Sequence, residues 1–120
     1  MDLHRFSYGT FTEIEVGIAE VVVDEGADID MAMVEELHQA FLAQLPERFS
    51  LLINKKNAYS TQLDALIKFG QLPAIDKIAV YAPNKLAKMS ADFSASIPSS
   101  QALNILVFID KDDALSWLRL

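Results

Sequence analysis

Phe49-Ser50-Leu51-Leu52-Ile53 is the stretch that decides the fold. It begins three residues after Pro46 and runs out into the polar loop Lys55-Lys56-Asn57-Ala58-Tyr59. A run this short, apolar in succession rather than in alternation, predicts a strand covered on both faces, as in a parallel sheet flanked by helices. The residues before it supply one such helix. Asp30 is a good N-cap, because its carboxylate can accept from the free amides of the first turn. Val34, Leu37, Phe41 and Leu45 then recur at helical spacing, and Pro46 stops the helix.

Working outward, the same strand-helix alternation repeats. Residues 4–23 read as a hairpin with Gly9 and Gly17 as turn or bulge points, ending in the β-branched run Val21-Val22-Val23. Asp24-Glu25-Gly26-Ala27-Asp28 is a loop. A second helix is expected from Ser60 or Thr61, with Thr61 and Asp64 at capping-box spacing and Asp64–Lys68 as an i,i+4 pair. Lys77 to Tyr81 forms the next strand. A third helix follows Asn84, marked by Leu86, Met89 and Phe93 and stopped by Pro98. Leu103 to Ile109 is the last strand, and Asp110 caps a closing helix carrying Ala114, Leu115, Trp117 and Leu118. The predicted order is ββαβαβαβα. Crossover helices force the later strands into parallel pairing, so the expectation is an α/β domain with a mixed, mostly parallel five-stranded sheet and four helices. At 120 residues, against a prior of ~150 per domain, residues 1–120 form a single domain.

Composition narrows the function. With no cysteine, a thiolate zinc site, a disulfide scaffold and a cysteine nucleophile are excluded. His4 and His38 fall in different elements without a metal-binding partner, so no metal and no cofactor are expected. His38 reads as a border residue of the first helix, bonded locally. Glycines never cluster before a helix, and no serine has glycines two residues away on both sides, which removes phosphate loops, dinucleotide folds and nucleophile elbows. The net charge of −7 speaks against nucleic acid. No apolar run approaches the ~20 residues of a spanning helix, and the N-terminus lacks a signal-peptide pattern, so a cytoplasmic protein is expected. The charge is also divided. Residues 1–47 hold eleven acids and one base, whereas residues 48–120 hold nine bases and six acids. The acids around Asp24–Asp30 and Glu35-Glu36 read as a solvated face that suits the helix dipole rather than as a calcium loop.

Open α/β sheets bind ligands outside the carboxyl ends of their strands. That rule gathers the loops at 54–60, 81–85 and 110–111 into one rim. Asn54, Lys55, Lys56, Asn57, Tyr59, Tyr81, Asn84 and Lys85 become candidate residues for an anionic ligand or a partner. Met31, Met33 and Leu42 lie outside the main helix stripe and offer a face that could pack against a second copy.

The order of elements, the Leu51-Leu52-Ile53-Asn54-Lys55-Lys56 segment with Tyr59-Ser60, and the closing Phe108-x-Asp110-x-x-x-Ala114-Leu115-x-Trp117-Leu118 resemble the STAS domain. More closely, they resemble a bacterial STAS-like group related to CRAL-TRIO lipid-transfer domains. The resemblance implies a SpoIIAA-like fold. In anti-sigma-factor antagonists a serine at the start of the helix after the third strand is phosphorylated. Ser60, or Thr61, stands at that place, without the family's acidic residue before it or glycine after it. The function expected is a non-enzymatic regulatory or protein-interaction module switched at Ser60 or Thr61. The alternative is a module binding a small molecule or lipid in an apolar cleft. An enzyme is the weakest reading, since no nucleophile, base and orienting group come together.

Overall fold

The computed structural model describes residues 2–85, 87–89, 92 and 104–120. Its first well-capped element is α1, Met31–Gln44. The Asp30 carboxylate accepts from the Met33 amide at 2.9 Å, and the Asp30 amide in turn donates to the Met33 sulfur at 3.4 Å. The helix ends where Leu45 turns extended ahead of Pro46, as the residue before a proline must. Its buried side is Val34, Leu37, His38 and Phe41.

Ahead of α1 lie β1 (Leu3–Phe6), β2 (Gly9–Glu15), β3 (Ile18–Val23) and the two-residue β4 (Asp28–Ile29). After it come β5 (Phe49–Asn54), β6 (Ser60–Thr61), α2 (Leu63–Phe69) and β7 (Ile75–Tyr81). Residues 85, 87–89 and 92 have helical backbone, 87–89 being labelled α3, and β8 (Asn104–Phe108) and α4 (Lys111–Leu118) come last. Among the described residues the main sheet has six strands in the order β1-β2-β3-β5-β7-β8. The first two pairings are antiparallel; β3–β5, β5–β7 and β7–β8 are parallel.

The mixed, mostly parallel sheet agrees with the expectation, but the strand count is six rather than five. Residues 3–23 hold three strands, not a hairpin, because the chain turns twice. Gly17 makes one turn with φ 82, where its amide is held by the Glu13 carboxylate at 2.9 Å. The other turn is Ser7-Tyr8, just before Gly9. Gly9 is needed for space: a Cβ there would meet the Val22 carbonyl oxygen at 2.4 Å and the Phe6 ring at 2.8 Å. The second helix also starts later than expected. Gln62 precedes it without a side-chain cap, Thr61 lies in β6, and Asp64 accepts only from the next amide. Lys68 leaves Asp64 and pairs with Glu35 of α1 at 3.1 Å, tying α2 to α1. Asn84 does cap α3, accepting from the Ala87 amide at 2.8 Å. Leu86, Phe93, Pro98 and Leu103, named for the third helix and last strand, lie outside the described residues.

Side chains alternate along each strand, and the sheet separates two cores. One, under α1 and α2, is built on Phe11, Phe41, Phe49, Val21, Leu51 and Ile78. Phe41 meets Phe11 edge-on at 5.1 Å between ring centroids and Phe49 at 5.4 Å. The other, under α4, joins Ile18, Leu52 and Ala79 to Ala114 and Leu118, with Phe108 and Trp117 at 5.7 Å beside them.

Candidate functional site

The loop after β5 is held at both sides before any side chain points inward. The Lys55 amide donates to the Tyr81 carbonyl at 2.9 Å, and the Lys56 amide to Asn54 Oδ1 at 3.1 Å. Asn57 Nδ2 donates to the Val23 carbonyl at 2.9 Å. The Ala58 amide donates to Glu25 Oε2 at 2.7 Å, and the Gly26 amide returns a bond to the Ala58 carbonyl at 2.7 Å. The parallel β4–β6 ladder then pairs Asp28 with Ser60 and Ile29 with Thr61. Glu25 and Asp28, expected only as solvated acids, are therefore structural acceptors for this loop. The signal that finds them is topological. β3 runs parallel to β5, so the loop after β3 belongs to the same rim.

Stitched in this way, the loop turns Lys55 and Tyr59 over an apolar cavity of about 110 Å³ between the sheet and α1–α2. Val21 and Ile53 line it from the strands, Val34 and Leu37 from α1, and Leu66 and Phe69 from α2. Tyr8 lies in its wall, with its hydroxyl donating to the Met33 carbonyl at 2.8 Å. Above the same two residues opens a more polar cleft of about 340 Å³, bounded by Glu25, Lys56, Asn57, Asn84 and Ala87. Lys55 and Tyr59 thus form the partition between an apolar chamber and a polar mouth.

Their electrostatics follow from that position. The Lys55 ammonium lies 4.0 Å from the Tyr59 ring centroid, a cation–π contact. Burial lowers the Lys55 pKa, because the charged form loses hydration. Burial also pushes the Tyr59 phenol up to about 12, so it remains a hydroxyl donor at neutral pH. The Tyr8 phenol is raised for the same reason, reinforced by nearby Glu36.

Of the residues expected at the rim, Lys55, Lys56, Asn57, Tyr59 and Asn84 come together around the two spaces. Asn54 and Tyr81 do not, because strand alternation sends them through the sheet. Tyr81 packs against the α4 core, and Asn54 Nδ2 donates to Glu20 at 3.0 Å. Lys111 follows them, pairing with Glu20 at 2.9 Å. Lys85 is exposed. Ser60 is exposed in β6 and donates from its hydroxyl to Asp28 at 2.9 Å, while Thr61 lines the apolar cavity. His38 is not locally bonded: its Nε2 reaches the Phe69 carbonyl of α2 at 3.2 Å. Since a carbonyl only accepts, Nε2 carries the proton. Among the described residues no helix is long and apolar enough to cross a membrane, and no cluster of three metal-ligating side chains is found.

No family model matches the sequence, and no curated protein matches it. Among solved structures the chain is similar to an uncharacterised protein from the DUF3478 family with a SpoIIAA-like fold, from Shewanella loihica PV-4. Identity is 16% and the TM-score 0.52, over 98% of this chain and 90% of that one. The sequence resemblance therefore holds at the level of architecture, and the chain has the SpoIIAA-like fold.

Proposed function

We propose that this chain is a non-enzymatic binding module for a small, largely apolar molecule held between the sheet and α1–α2. The observation that supports this reading is the cavity of about 110 Å³ beneath Lys55 and Tyr59. The space is concave and mostly apolar, lined by half-buried Ile53, Leu66, Phe69 and Val80 as well as by core residues, and such clefts are where proteins take up small ligands. It is comparable with the ~150 Å³ apolar cavity that stays dry and takes up benzene. It also lies at the carboxyl ends of parallel strands, where α/β sheets place their ligands.

A phosphoryl switch gains less from the geometry. A phosphate on Ser60 would stand against the Asp28 carboxylate that now accepts the Ser60 hydroxyl at 2.9 Å, and like charges at that distance repel. Thr61 borders the apolar chamber, and α2 begins two residues further on without a side-chain cap.

Native mass spectrometry of protein isolated gently from its own host tests the proposal. A bound species beyond the polypeptide mass is expected, and Val80→Phe, which fills the chamber from β7, should abolish it. An adduct of about 80 Da localised to Ser60, with no bound molecule and no response to Val80→Phe, would replace this reading with the switch.

A further inference from the structure

The identity of the ligand's polar end can be read from the one cation at the cavity that lacks an anion. All ten bases and all seventeen acids of the chain lie among the described residues. Six bases carry a carboxylate: Arg5, Arg48, Lys68, Lys88, Lys111 and Arg119. Lys77 donates to the carbonyls of Trp117 and Leu120. Lys56 and Lys85 are exposed to water. Lys55 is half-buried and its ammonium lies over the Tyr59 ring, with no carboxylate within 4.0 Å among the described residues. In a chain with a net charge of −7, leaving that one ammonium unpaired against an apolar wall is an unusual distribution of charge.

Resting on the binding-module reading, we infer that the ligand is a monoanionic amphipath, a carboxylate on a compact apolar body. The body occupies the chamber under α1 and α2, and the carboxylate lies against Lys55 Nζ with the Tyr59 hydroxyl as a second donor. No acidic residue lines the chamber; the nearest carboxylates are Glu25 at the mouth and Glu36 and Asp30 beyond the Tyr8 wall. The Tyr59 hydroxyl makes no hydrogen bond among the described residues, and burial keeps it protonated. A charge-assisted bond from Lys55 to a carboxylate would offset the desolvation of its half-buried ammonium. A volume of about 110 Å³ accommodates a single ring or a short alkyl chain.

The charge requirement and the cavity can be tested separately with acids and their neutral amides. Phenylacetate and hexanoate are titrated calorimetrically against phenylacetamide and hexanamide at neutral pH and low salt. The expected result is that each acid binds at least tenfold more tightly than its amide, and that Lys55→Met brings the ratio close to one. Acid and amide binding equally well to wild type would overturn the carboxylate assignment while leaving the apolar chamber as a binding site. A preference for acid that survives in Lys55→Met would overturn it too, since the anion would then be held elsewhere. Binding of none of the four probes would bring down the cavity reading itself. The wild-type comparison stands alone if Lys55→Met fails to fold.

Discussion

The two faces of the sheet are closed in different ways. Under α4 the small core is tight and its edges are tied by charge: Arg119 to Glu15 at 2.9 Å, Lys111 to Glu20 at 2.9 Å, and Lys77 to the Leu120 carbonyl at 2.8 Å. Under α1 and α2 the core is larger and aromatic, yet it contains the chamber, and the lysine above that chamber meets the Tyr59 ring but no carboxylate among the described residues. Adjacent residues of one strand face these two environments. Ala79 is fully buried against α4, while Val80 lines the chamber. One side is thus built to hold a helix, and the other to hold a helix and something more.

The comparison can be broken most severely at Phe41, which is fully buried between Phe11 and Phe49. Phe41→Ala should lower unfolding free energy by about 3–5 kcal/mol in urea titrations, as phenylalanine truncations in cores do. It would be sharpened most by enlarging the two neighbours on β7. Ala79→Val should destabilise by about 1–3 kcal/mol through overpacking. Val80→Ile should stabilise by about 0.5–1 kcal/mol by filling existing space. Opposite signs at adjacent positions are the signature of one packed face and one hollow face. If both substitutions destabilise, the chamber is not free volume in solution.

Much of this architecture was legible, and the parts that were not have a physical reason. Asp30, Pro46 and the Val34-Leu37-Phe41 stripe announce α1 because capping and burial are local patterns. Leu51 and Leu52 announce a central strand because continuous apolarity has no other use at that length. The three-stranded start was hidden by Gly9, which resembles a turn residue but serves close packing between Phe6 and Val22. A two-residue ladder such as β4–β6 leaves no periodicity at all. At the site, Lys55, Lys56, Asn57 and Tyr59 followed from the strand-end rule. The chamber did not: Val21, Leu37, Leu66 and Phe69 look in sequence like any core residues, and only their failure to fill the space between them marks the site. Tyr81 and Asn54 were misplaced because one step along a strand reverses the face.

Removing a lysine should have different consequences on the two faces. Lys77→Met keeps the aliphatic stem but removes both bonds from Nζ to the carbonyls at the end of α4, a helix with no base in its own last turn. A loss of about 1 kcal/mol is expected, typical of a cation at a helix C-terminus that also donates hydrogen bonds. Lys55→Met, without ligand, should leave stability unchanged or raise it, because it removes a partly desolvated charge that has no anion to lose. Thermal melts of the two variants in ligand-free buffer compare them directly. A larger loss for Lys55→Met than for Lys77→Met would mean that the Tyr59 contact already more than offsets the desolvation of the Lys55 ammonium.

The smallest expected effect is a pH response confined to the α1–α2 side. His38 donates to the Phe69 carbonyl and packs on the Phe69 ring at 5.7 Å, so it helps hold α2 over the chamber. Burial lowers its pKa below the ordinary 6.5, outweighing the Phe69 bond and Glu35, which favour the charged ring; Lys68 acts in the same direction as burial. In the window below 6.5 the unfolded chain then binds more protons than the folded one, so stability falls as pH falls toward the folded pKa. The carboxylates with lowered pKa, Asp24 and Glu35, lose their contributions only near and below their ordinary values of 3.8 and 4.5, so the interval from pH 7 to 5 separates the two processes. Urea midpoints measured at pH 7, 6 and 5 should decline in wild type, and His38→Gln, whose amide can still donate to Phe69, should decline less. The difference between the two proteins isolates this ring from every other titrating group. A steeper decline in His38→Gln would show that the folded state favours the charged imidazole, and that the α1–α2 contact tightens in acid instead of loosening.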